Sequence, residues 1–566
     1  MENSQTTPSR PRRSRGRGNK YQKSTFHSHG PSQMQTSLGG PAQANDMVPS
    51  ASVIPNNQPK FKDLGNENLV HPSLLLTLAE DLKYEYMTPV QAATIYPLLK
   101  ENCDILAQAK TGTGKTVAFL VPAIQRMLTK KLILGREVSL LVISPTRELA
   151  MQIATEARAL VQRFKECKVC IAIGGTNKST EEKRIAQGCD ILIATPGRLI
   201  DHLEGEDSDG RVKEKLRKLD TLVLDEADRL LDMGFLSSLK RIIQCLPDKA
   251  SRERQSMLFS ATVPSHVQKV SQLVLAQNYK SISTIPVGEP GTHERVVQHL
   301  VTVPTFSQVA SALVGIVRQE GAHAPPGTFK AIIFAPTARL VDFYLQILSK
   351  TPGLPTVMAL HSRMSQSKRG SITEQFRKSQ SSILIATDVI ARGMDFPSVT
   401  NVIQVGIPSD KESYIHRLGR TARAGAEGRG TFLVTQHESY FATHTLKDVK
   451  FVETPADLSA HQDVLRAATN LDPAIQASAY QGWLGYYKSY VKNLRWDSQR
   501  LVNEANELAL NGFGAAEVPG LQKSTVSKMG LKGVQGLRIV KPPPRDEEGA
   551  GNMNRQKSKR PINLVD

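Results

Sequence analysis

Twice along this chain, short apolar runs alternate with helix-length stretches, and no other feature restricts the fold as much. In the first round, "CDILAQA" (103–109), "SLLVISP" (139–145), "VCIAIGG" (169–175), "DILIATP" (190–196), "TLVLDEA" (221–227) and "QSMLFSAT" (255–262) are apolar at successive positions rather than at every second one. Strands of that kind are buried on both faces. The stretches between them, such as "VAFLVPAIQRML", "RELAMQIATEARALVQRF" and the shorter "KRIAQG", read as helices. Buried strands alternating with helices make a parallel sheet wrapped on both sides. After "STIPVGEPGTHE" (283–294), whose Gly and Pro mark a linker, the pattern restarts with "FKAIIFAP", "TVMALHS", "SILIATD", "NVIQVGI" and "GTFLVTQ". Two α/β lobes are therefore expected over 59–285 and 296–445, joined by 286–295. A mainly helical extension is expected over 446–535. Its "AYQGWLGYYKSYVKNLRW" puts Tyr480, Trp483, Tyr487 and Tyr490 on one helical face. RNA stacking is one use for such a face. Packing against the second lobe is the favoured one.

Composition narrows the partners. Lys and Arg number 72 against 53 Asp and Glu, a formal charge of +19. A surplus of that size suits a polyanion such as nucleic acid. The flanks 1–58 and 536–566 are poor in large apolar side chains and are expected to be disordered. Between Arg10 and Lys23 the first flank holds seven Lys or Arg, against Glu2 and Asp46, a net +5. It reads as a nucleic-acid arm or a targeting segment. The five cysteines, at 103, 167, 170, 189 and 245, are sparse and odd in number, which fits a reducing compartment. The lone Cys167-x-x-Cys170 reads as two buried small side chains; a metal or redox role needs a second pair. No run of 18 apolar residues exists, so no membrane span is expected.

"CDILAQAKTGTGKTVAF" (103–119) leads from a strand through a Gly-rich turn to Lys115-Thr116 and a helix. This is the context of a phosphate-binding loop. Gly112 and Gly114 let backbone N–H groups close around phosphate oxygens, with Ala109, Lys110, Thr111 and Thr113 making up the turn. The helix that follows points its positive end at them. Lys115 is expected to reach the β- and γ-phosphates of ATP, and Thr116 to hold Mg²⁺. Ala109 stands where the simplest pattern has its first Gly.

"TLVLDEAD" crowds Asp225, Glu226 and Asp228 at the end of a buried strand. Like charges repel, and buried carboxylates are costly unless paired. A neighbouring phosphate loop supplies the reason, because an acid at the end of an adjacent strand helps hold Mg²⁺. Asp225 is expected in that part. Glu226 is placed to orient and activate the attacking water. Asp228 is left for a third task, such as contact with the second lobe.

"DEAD" after such a loop, followed by "SAT" (Ser260, Ala261, Thr262), resembles the DEAD-box family of RNA helicases. The resemblance covers about residues 61–440. It implies a superfamily 2 helicase core of two RecA-like lobes that hydrolyses ATP with Mg²⁺. "TPVQ" (88–91) resembles the Q motif, in which Gln91 reads the adenine edge. Tyr84 stands where a stacking Phe is usual, Phe61 resembles the upstream aromatic, and Lys83 replaces a usual Gly. "PTRELA" with Arg147, Gly174-Gly175, and "TPGR" with Thr195 and Arg198 resemble RNA-backbone motifs, joined by Thr387 from the second lobe. "ATDVIARGMD" (386–395) brings Gly393 and Asp395 to the nucleotide by the same resemblance. "HRLGRTAR" (416–423) supplies Arg420 and Arg423, which resemble arginine fingers. Ser260, Thr262, His416 and Arg417 are implied, with Asp228, in coupling the lobes. A γ-phosphate shared by both lobes would draw them together, and hydrolysis would let them part. The RNA contacts address phosphates and not base edges, so single strands or short duplexes are expected to bind without sequence preference.

Two positions depart from the family pattern: Gly406 in "VIQVGIP", where many relatives carry Asp, and Ser362 in "LHSRM", where Gly is frequent. With the helical extension and basic tail, they resemble the fungal mitochondrial subgroup that chaperones intron splicing. That likeness implies a monomer in the mitochondrial matrix. The alternatives are a nucleolar or cytoplasmic relative in ribosome assembly, a DNA helicase on the same architecture, and a non-catalytic RNA-binding protein that kept the fold. Gln91 and the DEAD tetrapeptide weigh against the DNA enzyme. Intact Lys115, Glu226, Arg420 and Arg423 weigh against the inactive binder.

Overall fold

A computed structural model describes residues 58–130, 134–249, 254–285, 296–388, 396–422 and 427–540. The arm up to residue 57, the linker 286–295, the tail from 541, and Gly393, Asp395 and Arg423 lie outside the described residues.

The first lobe is built on β1 (Ile105–Gln108), β2 (Leu140–Ile143), β3 (Val169–Ala172), β4 (Ile191–Ala194), β5 (Thr221–Leu224), β6 (Gln255–Ser260) and β7 (Lys280–Ser283). They form a parallel sheet in the order β3-β4-β2-β5-β6-β1-β7. Every residue of β2, β4 and β5 is buried, as unbroken apolar runs require. The second lobe uses β8 (Val297–Val303), β9 (Lys330–Phe334), β10 (Val357–Leu360), β11 (Ser382–Ala386), β12 (Asn401–Val405), β13 (Arg429–Thr435) and β14 (Phe451–Glu453). Its order is β10-β11-β9-β12-β13-β8-β14, also parallel. The two orders are the same once seven is added to each strand number. The repeat in sequence is thus a repeat in topology, and β1, β5 and β6 correspond to β8, β12 and β13. Both sheets offer a crevice outside the carboxyl ends of these strands, where parallel sheets bind ligands.

The structure differs from the sequence pattern in two places. The edge strand β7 is too polar and β14 too short to be marked by an apolar run, and β14 carries the second sheet past residue 445. The extension also runs past 535, to a parallel pair of Leu521–Gln522 and Ile539–Val540. As favoured from its aromatic face, the extension packs against the second lobe. Tyr480, Trp483, Tyr487, Leu501 and Phe513 share one hydrophobic core with Val301, Leu340 and Phe343 of the second lobe. Phe306, just after β8, is the hub. Its ring meets Trp483 at 4.9 Å and Tyr487 at 5.0 Å, both edge-on. Tyr480, Trp483 and Tyr487 are at most 3% exposed, which leaves no ring face for a base.

Candidate functional site

The phosphate loop joins β1 to the helix Lys115–Thr129. Gly112 and Gly114 have φ of +77° and +87°, a region L-residues resist. At Gly114 a Cβ would also lie 2.5 Å from the Gln91 amide. Gln91 caps its own helix, Pro89–Lys100, by accepting from the Thr88 N–H at 2.8 Å. Its Nε2 donates to the Gly114 carbonyl at 3.1 Å. Gln91 therefore ties the helix to the phosphate loop and keeps only one amide hydrogen for a base. Thr113 Oγ1 donates to the Lys110 carbonyl at 2.8 Å, closing the turn. The Ala109 N–H donates to the Ser260 carbonyl at 3.1 Å, which fixes the loop's start to β6.

A cleft of about 350 Å³ opens over this loop. Thr116, Asp225 and Glu226 line its floor, Phe61 and Tyr84 its wall, and Arg420 comes in from the second lobe. Phe61 is buried, whereas Tyr84 lies at the rim, 38% exposed, with its hydroxyl 3.4 Å from Glu156. Lys83 beside it has φ +55°. The residue that replaces Gly here keeps a glycine-like backbone, which costs an L-residue about 1 kcal/mol.

The crowded acids find part of their compensation in the protein. Lys115 Nζ lies 3.1 Å from Glu226 Oε1 and donates to the Ala109 carbonyl at 3.3 Å. Asp225 accepts from the Glu226 N–H at 3.0 Å. Burial and, after it, the Glu226 charge still push the Asp225 carboxyl up to about 7. Glu226 Oε2 is buried with no hydrogen-bond partner among the described residues. Its backbone is left-handed, with φ +48°. A strained, half-satisfied acid in a cleft has the features of a functional group.

Asp228 faces the other way. Its carboxylate accepts from the Thr262 N–H and hydroxyl at 3.2 and 2.9 Å, and its own N–H donates to Ser260 Oγ at 3.2 Å. His416 of the second lobe stands 3.8 Å from the same carboxylate. Arg420 is 1% exposed, and its Nε donates to the His416 carbonyl at 3.3 Å. A Cβ on Gly419 would sit 3.5 Å from Thr111 Oγ1, so the two motifs meet closely. Arg417 meets the first lobe through a relay. Its guanidinium holds Asp388 of its own lobe in two bonds, 2.7 and 2.9 Å long. The link across is made by Arg229, which donates to the Asp388 carbonyl at 2.9 Å. Arg417 is fully buried and stacks near Phe334, so its coupling is indirect.

On the expected RNA side, Arg147 starts the helix Arg147–Leu160 and lies over Gly174-Gly175. A Cβ on either glycine would fall within 2.7 Å of its guanidinium. Thr195 caps the helix Pro196–Glu204 without a side-chain bond, and Thr387 follows β11 with its N–H on the Leu360 carbonyl at 3.4 Å. Arg198 is already engaged: it pairs with Glu181 at 2.8 Å and donates to the Thr176 carbonyl at 3.0 Å. These bonds brace the loop and fix the direction of its guanidinium.

Sequence reasoning missed a second link between the lobes. Glu148, inside "PTRELA", is buried and pairs with Arg369 at 2.5 Å; Gln366 donates to it at 3.2 Å. Gln366 and Arg369 lie one turn apart at the start of the helix Gln366–Lys378. Their spacing puts them on one face, but nothing local says that the face meets the other lobe, 218 residues away.

Comparison with known proteins agrees with this geometry. The DEAD/DEAH box helicase family matches residues 88–270, and the helicase conserved C-terminal domain matches residues 324–425. The mitochondrial ATP-dependent RNA helicase MSS116 of Phaeosphaeria nodorum is 40% identical over 88% of this chain and 92% of its own. DEAD-box ATP-dependent RNA helicase 26 of Oryza sativa subsp. japonica is 42% identical over 82% and 84%. Among solved structures, Mss116p bound to single-stranded RNA and AMP-PNP is similar with a TM-score of 0.75 and 31% identity, over 84% of this chain and 95% of that one. The two RecA-like lobes, the cleft between them and these relatives lead to one conclusion: the chain belongs to the DEAD-box ATP-dependent RNA helicases.

Proposed function

We propose that this protein uses ATP with Mg²⁺ to close its two lobes on RNA, prying short duplexes apart and, in mitochondria, assisting RNA folding and intron splicing. The observation that carries the reading is a single cavity lined by Lys115 and Glu226 of the first lobe and by Arg420 of the second. ATP bound there is held at its β- and γ-phosphates by Lys115 and the loop N–H groups. Phe61 and Tyr84 flank the base. Glu226 orients the attacking water, and Arg420, with Arg423, meets the charge that develops on the γ-phosphoryl group. RNA phosphates lie along Arg147, Gly174-Gly175, Thr195 and Thr387.

The residues present fit Mg²⁺. Thr116 and Asp225 offer hard oxygen ligands, and Asp225 is a buried carboxyl that a cation would return to its charged form. Among the described residues no group of three or more His, Cys, Asp or Glu makes a metal site. Held by Thr116 and Asp225, Mg²⁺ would take its remaining ligands from phosphate oxygens and water. When bound, Mg²⁺ neutralises phosphate charge. The mitochondrial part is supported by the likeness to a relative named for mitochondria, and the splicing part rests on the subgroup resemblance of Gly406, Ser362 and the helical extension.

Glu226→Gln tests the chemistry. The variant should bind ATP and RNA, hydrolyse about 10²–10⁴-fold more slowly, and accumulate closed on RNA. Loss of ATP binding would move Glu226 from water to metal. Fusing residues 1–60 to a fluorescent reporter tests the compartment; nucleolar or cytosolic signal would point to the alternative relatives.

A further inference from the structure

Between β12 and the helix Lys411–Leu418 the chain turns through Gly406, Ile407, Pro408, Ser409 and Asp410. That helix carries Arg417, and Arg420 follows two residues after its end. Tyrosines of the C-terminal extension grip the turn. Tyr486 donates from its hydroxyl to the Ile407 carbonyl at 2.6 Å. Tyr487 donates to Glu438 Oε1 at 2.5 Å, and the same oxygen accepts from the Ile407 N–H at 3.2 Å. Glu438 is in turn anchored to β13, accepting from the Thr435 N–H and hydroxyl at 2.9 and 3.0 Å. Tyr490 reaches the Pro408 carbonyl at 3.4 Å. Both polar groups of Ile407 are thus fixed by side chains from outside its own element.

Gly406 is what admits the extension. It has φ +71°, and a Cβ there would stand 2.9 Å from the Tyr487 hydroxyl and 3.4 Å from the Glu438 carboxylate. An Asp at this position would displace Tyr487 and set a second carboxyl against a buried one. The glycine and the tyrosine contact therefore require each other.

We infer that Tyr486 and Tyr487 are positioning residues for the arginine finger, holding through Ile407 and Glu438 the start of the segment that carries Arg417 and Arg420. The inference rests on the reading of Arg420 as that finger. The hydroxyls matter more than the rings. A hydrogen bond to one peptide fixes its place and direction, whereas ring contacts with Phe306 and Trp483 tolerate small shifts. The Tyr486 hydroxyl also lies within electrostatic reach of Arg417 and Asp388, the pair that Arg229 joins to the first lobe. Misplacing a catalytic group by 1 Å can lower a rate on the order of 100-fold.

The test is a full-length Tyr486→Phe, Tyr487→Phe double variant beside Tyr480→Phe. Tyr480 lies on the same helix, and its hydroxyl donates to Asn506 at 2.9 Å within the extension. All of these changes should lower the melting temperature slightly. Only the double variant should lower RNA-saturated kcat, by about 10- to 100-fold, with KM for ATP and ATP affinity without RNA changed less than about twofold. In an Arg420→Lys background the same pair should lower kcat by a smaller factor, because coupled residues are not additive. Wild-type kcat in the double variant, or an equal loss in Tyr480→Phe, overturns the inference while leaving the finger intact. Near-normal turnover in Arg420→Ala overturns the finger reading, and the inference with it.

Discussion

The two lobes share one strand order, yet the corresponding crevices are opposite in character. Over β1, β5 and β6 lies a polar cleft of about 350 Å³. Over β8, β12 and β13 only about 20 Å³ is left, because Phe306, Trp483 and Tyr487 fill the space. The buried acids differ in the same way. Glu438 receives four hydrogen bonds, from Tyr487, the Ile407 N–H and two groups of Thr435. Glu226 has Lys115 on one oxygen and no hydrogen-bond partner for the other among the described residues. A buried polar group that is fully satisfied stabilises one structure; one left half-satisfied is held for a ligand. The fold supplies both crevices, and the loops and extension decide which stays open for chemistry.

If the second crevice is structural, emptying it should damage stability and spare nucleotide binding. Trp483→Ala should destabilise the protein by about 3–5 kcal/mol, read by denaturant unfolding, with ATP affinity of the folded form unchanged. A large loss of ATP affinity at unchanged stability would break the contrast between the lobes.

Contacts between the lobes should behave differently from both. Glu148→Gln removes the partner of a buried Arg369. Breaking a buried pair costs about 3–5 kcal/mol, and less where water reaches the groups in the open form. RNA affinity with a non-hydrolysable ATP analogue should fall about 10- to 100-fold, while ATP affinity without RNA stays constant. An equal loss of both would place Glu148 inside the first lobe's own architecture and remove it from the closure.

A smaller effect sharpens the account of the open cleft. The Asp225 carboxyl is raised from 3.8 to about 7, so the folded protein keeps a proton that the unfolded chain releases. Its contribution to stability is fully present below pH 3.8 and is lost as pH rises through about 7. Asp225→Asn should flatten the fall in melting temperature over that range, at about 2–4 °C per kcal/mol for a domain of this size. An unchanged slope would mean that Asp225 is already charged in the free protein.

Local features made the first crevice legible. An apolar strand, Gly112, Gly114 and Lys115-Thr116 form an unbroken run, and Asp225 and Glu226 stand at the end of another strand. Each signal lies within about a dozen residues. The filled crevice carries no such signal. Phe306, Gly406, Glu438 and Tyr487 are scattered over the chain, and only the shared strand order superimposes them on the active side. Gly406 was visible in the sequence, but not the close contact that needs it, because that contact is with a tyrosine 81 residues away. The same distance hid Glu148 and Arg369, and the relay through Asp388 and Arg229 by which Arg417 meets the first lobe.

In the proposed mechanism one γ-phosphate is read from both lobes, by Lys115 and by Arg420. RNA-saturated turnover of Arg420→Ala, with ATP affinity and melting temperature measured on the same protein, tests it most directly. Turnover should fall on the order of 10³–10⁵-fold. ATP affinity without RNA should barely change, and Arg420→Lys should rescue poorly because an ammonium lacks the planar fork of donors. A folded Arg420→Ala protein with near-normal turnover would contradict the claim.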